Sequence, residues 1–260
     1  MSRMSRSKVK NLLLLKQINT AVSQIKKGNL DKALETLDKA ESSARKSKST
    51  DALYYILFTR GGIFYSAAKY DNALDTYEKA LVAGKELLKS DPENNNYQHY
   101  MGTTLSNVGN LLKKKGENSK AAESYSCARE IYINLMILDP KNAVFKYYAG
   151  ENLNNYASLL LETASFEEAC NIQKEAIEIY EKLLEESPEN PGYQAELSVA
   201  LSNLGNCLLQ QSPENNSPSK QTLEKALSIQ EKLLTQQPEN EKIKGDIELT
   251  RKRLESLQEN

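Results

Sequence analysis

One period governs this chain: a set of residues that returns every 48 positions. Leu105, Leu153 and Leu201 are 48 apart, and so are Gly109, Ala157 and Gly205. A small residue ahead of an aliphatic run follows as Ala80, Ala128, Ala176 and Ala226. A proline then closes each stretch as Pro92, Pro140, Pro188 and Pro238, and both sets step by 48, 48 and 50. Repetition at this length means a stacked architecture rather than one globular core. Gly61 lies 48 before Gly109, and Ala21 lies 40 before Gly61. The first small residue precedes the later alanine by 19, from Ala21–Ala40 to Ala157–Ala176. In the last unit the gap is 21, and the surplus falls in the polar stretch 210–218 with its two prolines. Five units result.

Each unit reads as two antiparallel helices. Leu153, Tyr156, Ala157 and Leu160 recur at i, i+3, i+4 and i+7. Phe166, Ala169, Ala176, Ile179, Tyr180 and Leu183 form a second stripe that stops before Pro188. The breakers between the stripes are Lys27-Gly28-Asn29, Lys69-Tyr70-Asp71, Lys115-Gly116-Glu117-Asn118 and Thr163-Ala164-Ser165. Gly or Ala at the first marker lets paired helices approach closely; a bulky residue there would force them apart.

The predicted organisation is a basic flexible tail over 1–10 and five helix pairs over 11–240. The pairs span about 11–48, 51–91, 94–139, 142–187 and 190–237, and a charged amphipathic helix over 241–260 caps the array.

These markers resemble the tetratricopeptide repeat family, a helix-turn-helix unit with small residues at the close crossing, aromatic or leucine packers and a terminal proline. Leu57, Gly61, Phe64, Tyr70, Ala73, Tyr77 and Ala80 carry the pattern in the second unit. Leu105, Gly109, Leu112, Gly116, Ala121, Tyr125 and Ala128 carry it in the third, and Leu153, Ala157, Leu160, Phe166, Ala169 and Ala176 in the fourth. The unit of 48 exceeds the usual ~34 residues, and the surplus would add about two turns to each helix. Such long units look like the kinesin light chain type and those of prokaryotic members. The early Trp of the family is absent, and Ser219 and Leu223 replace its smaller or aromatic packers, so loose packing is expected in the fifth unit. The resemblance implies an all-α fold: a right-handed α-solenoid of five antiparallel helix pairs with a C-terminal capping helix.

In this family the first helices line the concave face. Two residues before each small marker stand Asn19, Thr59, Asn107, Asn155 and Asn203. One residue after it come Val22, Gly62, Asn110, Ser158 and Asn206. A carboxamide both donates and accepts, so it can grip a peptide backbone with two bonds. Asn19, Asn107, Asn110, Asn155, Asn203 and Asn206 are therefore the candidate groove residues. In other members Asn at the matching place holds an extended peptide. The opposite reading is that they solvate a helix face or bridge neighbouring repeats. A clamp for acidic chaperone tails needs basic residues on successive first helices. Ile18, Phe58, Thr59, Ser106 and Asn107 stand in comparable places, so that clamp is not expected.

Composition excludes much. Lys plus Arg is 34 and Asp plus Glu is 35, a net charge of -1, which gives no global case for nucleic acid or a membrane surface. No run reaches the roughly 18 apolar residues of a membrane span. Cys127, Cys170 and Cys207 have no metal-ligand spacing and read as small packing residues in a reducing cytoplasm. His99, the one histidine, has no nucleophile or second ligand. No phosphate loop, catalytic triad or metal set occurs, so no catalytic residue, cofactor or small-molecule substrate is expected.

The expected role is a non-enzymatic scaffold for a partner protein or extended peptide, with self-association open. The alternative is a regulator that senses a peptide or contacts nucleic-acid machinery through its N-terminus. That segment carries seven basic residues and no acid up to Leu30.

Overall fold

The structure is a computed structural model that describes residues 6–212 and 215–257, with side chains from residue 13 onward. It is all-α among those residues. Two compact units divide it, Met1–Gly116 and Glu117–Asn260. In the first unit α1 spans Arg6–Lys26, α2 Leu30–Ser47, α3 Thr50–Ser66, α4 Tyr70–Ser90 and α5 Asn95–Lys114. In the second, α6 spans Asn118–Leu138, α7 Ala143–Glu162, α8 Phe166–Glu186, α9 Pro191–Gln211, α10 Ser217–Gln236 and α11 Glu241–Glu255. Residues 6–10 of the expected basic tail are thus helical. Its residues 1–5, with Pro213, Glu214 and 258–260, lie outside the described residues. Within each unit every helix packs on the next in the chain, and first helices also touch, α1 on α3 and α7 on α9.

Two kinds of turn make the hairpins. α1, α3, α5 and α7 end on a residue in the left-handed region, Gly28 at φ 74°, Ala68 at 55°, Gly116 at 76° and Ala164 at 58°, whereas α9 ends on Ser212 at φ -145°. After α7, the Ser165 N–H donates to the Leu160 carbonyl at 2.8 Å and the Ala164 N–H to Leu161 at 3.2 Å. This is the paired Schellman closure that satisfies orphan carbonyls at a helix end. Only glycine enters that region without a Cβ penalty. Ala164→Gly is therefore expected to raise the unfolding free energy by about 0.5 kcal/mol, the relief of Cβ strain exceeding glycine's added freedom in the unfolded chain. Urea denaturation reads it, and a lower midpoint would refute it.

α4, α6, α8 and α10 end on an Asp-Pro-x-Asn type of turn, whereas α2 ends on Lys48 in the left-handed region at φ 54°. The Asn94, Asn142 and Asn190 N–H groups donate to Asp91, Asp139 and Ser187 at 3.3, 3.1 and 3.1 Å, and Asn240 to Gln237 at 3.0 Å. Proline suits the second position of such a turn because its φ is already set. Each asparagine then caps the next helix. Asn142 Oδ1 accepts from the Val144 and Phe145 N–H groups, and Asn190 Oδ1 from Gly192 and Tyr193. One residue closes one turn and opens the next helix.

The small markers do sit at close crossings. A Cβ at Gly61 would lie 2.7 Å from the Tyr77 ring, and one at Gly205 2.5 Å from Leu223 Cγ. The fifth pair is not loose. Ser219 and Leu223 are both fully buried, and the Ser219 hydroxyl donates to the Gly205 carbonyl at 2.7 Å. A serine that bonds backbone across the crossing holds the helices together as well as a larger packer would. Cys170 and Cys207 are buried as small packers, whereas Cys127 is exposed. It sits between the buried Tyr125 and Ala128 in α6, a register that turns it to solvent.

Candidate functional site

The asparagine caps fix the register of the first helices. Asn107 follows Asn94 by 13 residues, and Asn155 follows Asn142, and Asn203 follows Asn190, by the same step. The same step from Asn240 arrives at Arg253 on α11, so α11 is built like a sixth first helix.

In the first unit, Asn19 is exposed on α1 beside Lys16, Thr20 and Lys27, which border a shallow hollow. Asn107 and Asn110 are half-buried on α5. His99 on the same helix packs against the Tyr100 ring at 5.9 Å, and burial lowers its pKa. Tyr54 donates to the Tyr100 carbonyl at 2.6 Å and bonds the Thr104 hydroxyl, which locks α3 to α5. Arg60 ties α3 back to α2 through Asp38 at 2.7 Å and Glu41.

In the second unit, Asn155 and Asn206 are half-buried and make no hydrogen bond among the described residues. Asn203 differs. Its Oδ1 accepts from both terminal nitrogens of Arg253 at 3.3 Å, and Arg253 also donates to the Ser202 hydroxyl at 2.7 Å. The Ser202 and Thr250 hydroxyls meet at 2.8 Å, both buried. At this rung the recurring position joins one first helix to the next.

Sequence reasoning missed the polar network beneath. Asn154, buried, donates to the Glu196 carbonyl at 3.3 Å and its carboxylate at 3.4 Å, and accepts from Gln173 at 2.6 Å. Asn152 donates to the Tyr125 carbonyl at 3.0 Å. These positions do not repeat, since Ser106 and Ser202 stand where Asn154 does, so the period could not flag them.

An aromatic and acidic face lies beside Asn155. The Tyr147 ring sits 5.5 Å from Tyr148, 5.9 Å from Tyr193 and 6.5 Å from Tyr180. Burial and the Glu196 and Glu151 carboxylates push the Tyr147 hydroxyl up to about 12. Glu151 is raised by burial first and by Glu196 second, with Lys242 opposing. Asp246 is raised chiefly by burial. Three carboxyls thus share a partly desolvated region with Lys242, which reaches Glu196 at 3.4 Å. Among the described residues no group of His, Cys, Asp and Glu can hold a metal ion, and no helix is long and apolar enough to cross a membrane.

Residues 153–191 match the family model described as tetratricopeptide repeat. No curated protein matches the chain. Among solved structures, BtubC (BKLC) from P. vanneervenii is 20% identical with a TM-score of 0.68, over 84% of this chain and 80% of that one. The nearly identical kinesin-light-chain TPR-like repeats from Podosopora anserina are 16% identical with a TM-score of 0.60, over 84% and 95%. At such identities the likeness is one of fold. Residues 153–191 thus match a tetratricopeptide repeat, and over 84% of its length the chain has the fold of these solved repeat structures.

Proposed function

We propose that the chain is a non-enzymatic interaction scaffold that holds a partner protein, as an extended peptide, against its first helices. The observation that carries the reading is Asn155. Its carboxamide is half-buried on α7, stands on the helix face of Glu151 and Tyr148, and has no hydrogen-bond partner among the described residues. A half-desolvated amide gains most from a partner that both donates and accepts, as a peptide group does. Asn206 on α9 offers a second such group and Asn107 one within the first unit, where Asn19 is an exposed amide. Asn203 is already engaged by Arg253, so it holds the last first helix instead of a ligand. The three free thiols suit a reducing cytoplasm.

The test is affinity capture from source-cell lysate with wild type and Asn155→Ala. A partner retained by wild type should fall about tenfold in recovery with the variant, the loss of one or two amide bonds, at an unchanged melting temperature. Equal recovery from both would place binding away from α7.

A further inference from the structure

We propose that the face formed by Tyr147, Glu151 and Glu196 receives one basic side chain, an arginine or lysine, of the partner chain. The inference deepens the peptide reading above and rests on it: Asn155 would hold backbone while this face selects a cation.

Charge is the first observation. Glu151 stands on α7 with no hydrogen bond or salt bridge among the described residues, half-buried near Glu196 on α9. Asp246 faces the same region from α11. Against these three carboxyls stand two cations; Lys242 acts on Glu151 at a distance, and neither forms an ion pair with it among the described residues. Lys242 has 68% of its side chain in solvent and reaches Glu196, while Arg253 is committed to Ser202 and Asn203. On α7 itself, Lys146 is taken by Glu186 at 2.9 Å. A carboxylate-bearing ligand would meet like charges here; a guanidinium or ammonium would relieve them.

The second observation is independent of charge. The Tyr180 hydroxyl, on α8, is fully buried and has no hydrogen-bond partner among the described residues. It ends against the α7 backbone, where a Cβ on Gly150 would lie 2.8 Å from its oxygen, one residue from Glu151. Buried hydroxyls are nearly always paired, and this one, close enough to Glu196 and Glu151 to feel both charges, is an acceptor left unfilled at the acidic face. A guanidinium carries five donors, enough for both carboxylates and this oxygen. The Tyr147 ring adds a π face beside it. Glycine at 150 is what lets the phenol reach that depth.

The probes are two fluorescein-labelled capped dodecapeptides, four copies of Gly-Ser-Arg and four of Gly-Ser-Gln, titrated by anisotropy into the full chain at physiological salt. The arginine peptide should bind at least about tenfold tighter, the scale of one charge-assisted bond to a partly buried carboxylate. Glu151→Gln, isosteric and free of repulsion, should erase that advantage. Tyr180→Phe should weaken the arginine peptide about threefold without lowering the melting temperature, because it deletes an unpaired hydroxyl and keeps the ring. A purely structural Tyr180 would leave binding untouched. Equal binding of the two peptides that still depends on Asn155 would overturn the cation site and leave the backbone reading standing. An arginine preference that survives Glu151→Gln would also overturn it, as would binding of neither peptide.

Discussion

Gly205→Val is expected to lower the unfolding free energy by about 3 kcal/mol, the upper end of what overpacking a closed core costs. The added Cβ would stand 2.5 Å from Leu223 Cγ and 2.7 Å from its Cδ2, with the Ser219 carbonyl oxygen at 3.3 Å. Leu223 is fully buried, so its branch has no solvent to swing into. The helices cannot part cheaply either, since the Ser219 hydroxyl ties α10 to the Gly205 carbonyl at 2.7 Å. Gly245 on α11 supplies the control. A Cβ there meets nothing within 4 Å, so Gly245→Ala should raise stability by about 0.5–1 kcal/mol through helix propensity alone. Urea denaturation of the two variants should therefore move the midpoint in opposite directions. If both stabilise, the crossing between α9 and α10 is not closed by the missing side chain.

What the sequence made legible was whatever duplication copies and packing enforces at one place per unit. Gly61 and Gly205 carried the helix crossings because only a small residue fits there, and the same pressure acts in every copy. The proline marker carried the inter-unit turn, and the asparagine two residues after it was visible in the letters as well. Its second task, capping the next helix, needed the hydrogen bonds to be seen. Gly84 escaped because it answers one particular neighbour, Met101, and Thr36 and Tyr132 stand 48 positions either side of it; Gly150, packed on Tyr180, has Gly102 48 before it and Ser198 48 after, so the period carried it although its neighbour was not visible. Arg253 escaped for another reason. It keeps the register of Asn203 counted from the caps, yet changes residue type, so a search for recurring letters passes over it. Looseness in the fifth unit was misjudged at Ser219 because composition cannot show a hydroxyl reaching backbone on the facing helix. The face around Glu151 was illegible for the same physical reason. It is assembled from α7, α8, α9 and α11, and no single stretch of chain contains it.

Asn154→Ala is expected to cost about 2–3 kcal/mol, although Asn155→Ala next to it should change stability by no more than about 0.5 kcal/mol. Periodicity favours the wrong one of this pair as the structural residue. Asn155 recurs in three successive units but has no partner among the described residues, whereas Asn154 occurs once and closes a buried network. Gln173 is fully buried, and its Oε1 is already unpaired among the described residues. Deleting the Asn154 carboxamide would take the acceptor for its Nε2 as well, leaving a whole amide desolvated with nothing bound. The same deletion removes the donor to Glu196, whose carboxylate would then lean more heavily on the exposed Lys242. Unsatisfied polar groups in a low-dielectric interior cost more than the bonds they once made, which is why the effect exceeds that of one ordinary hydrogen bond. Thermal and urea unfolding of the two alanine variants decide it. A double variant, Asn154→Ala with Gln173→Leu, should recover most of the loss, because both partners of the bond would then be apolar. No recovery would mean that the cost arises at Glu196 and the α7–α9 contact, and not at the buried glutamine.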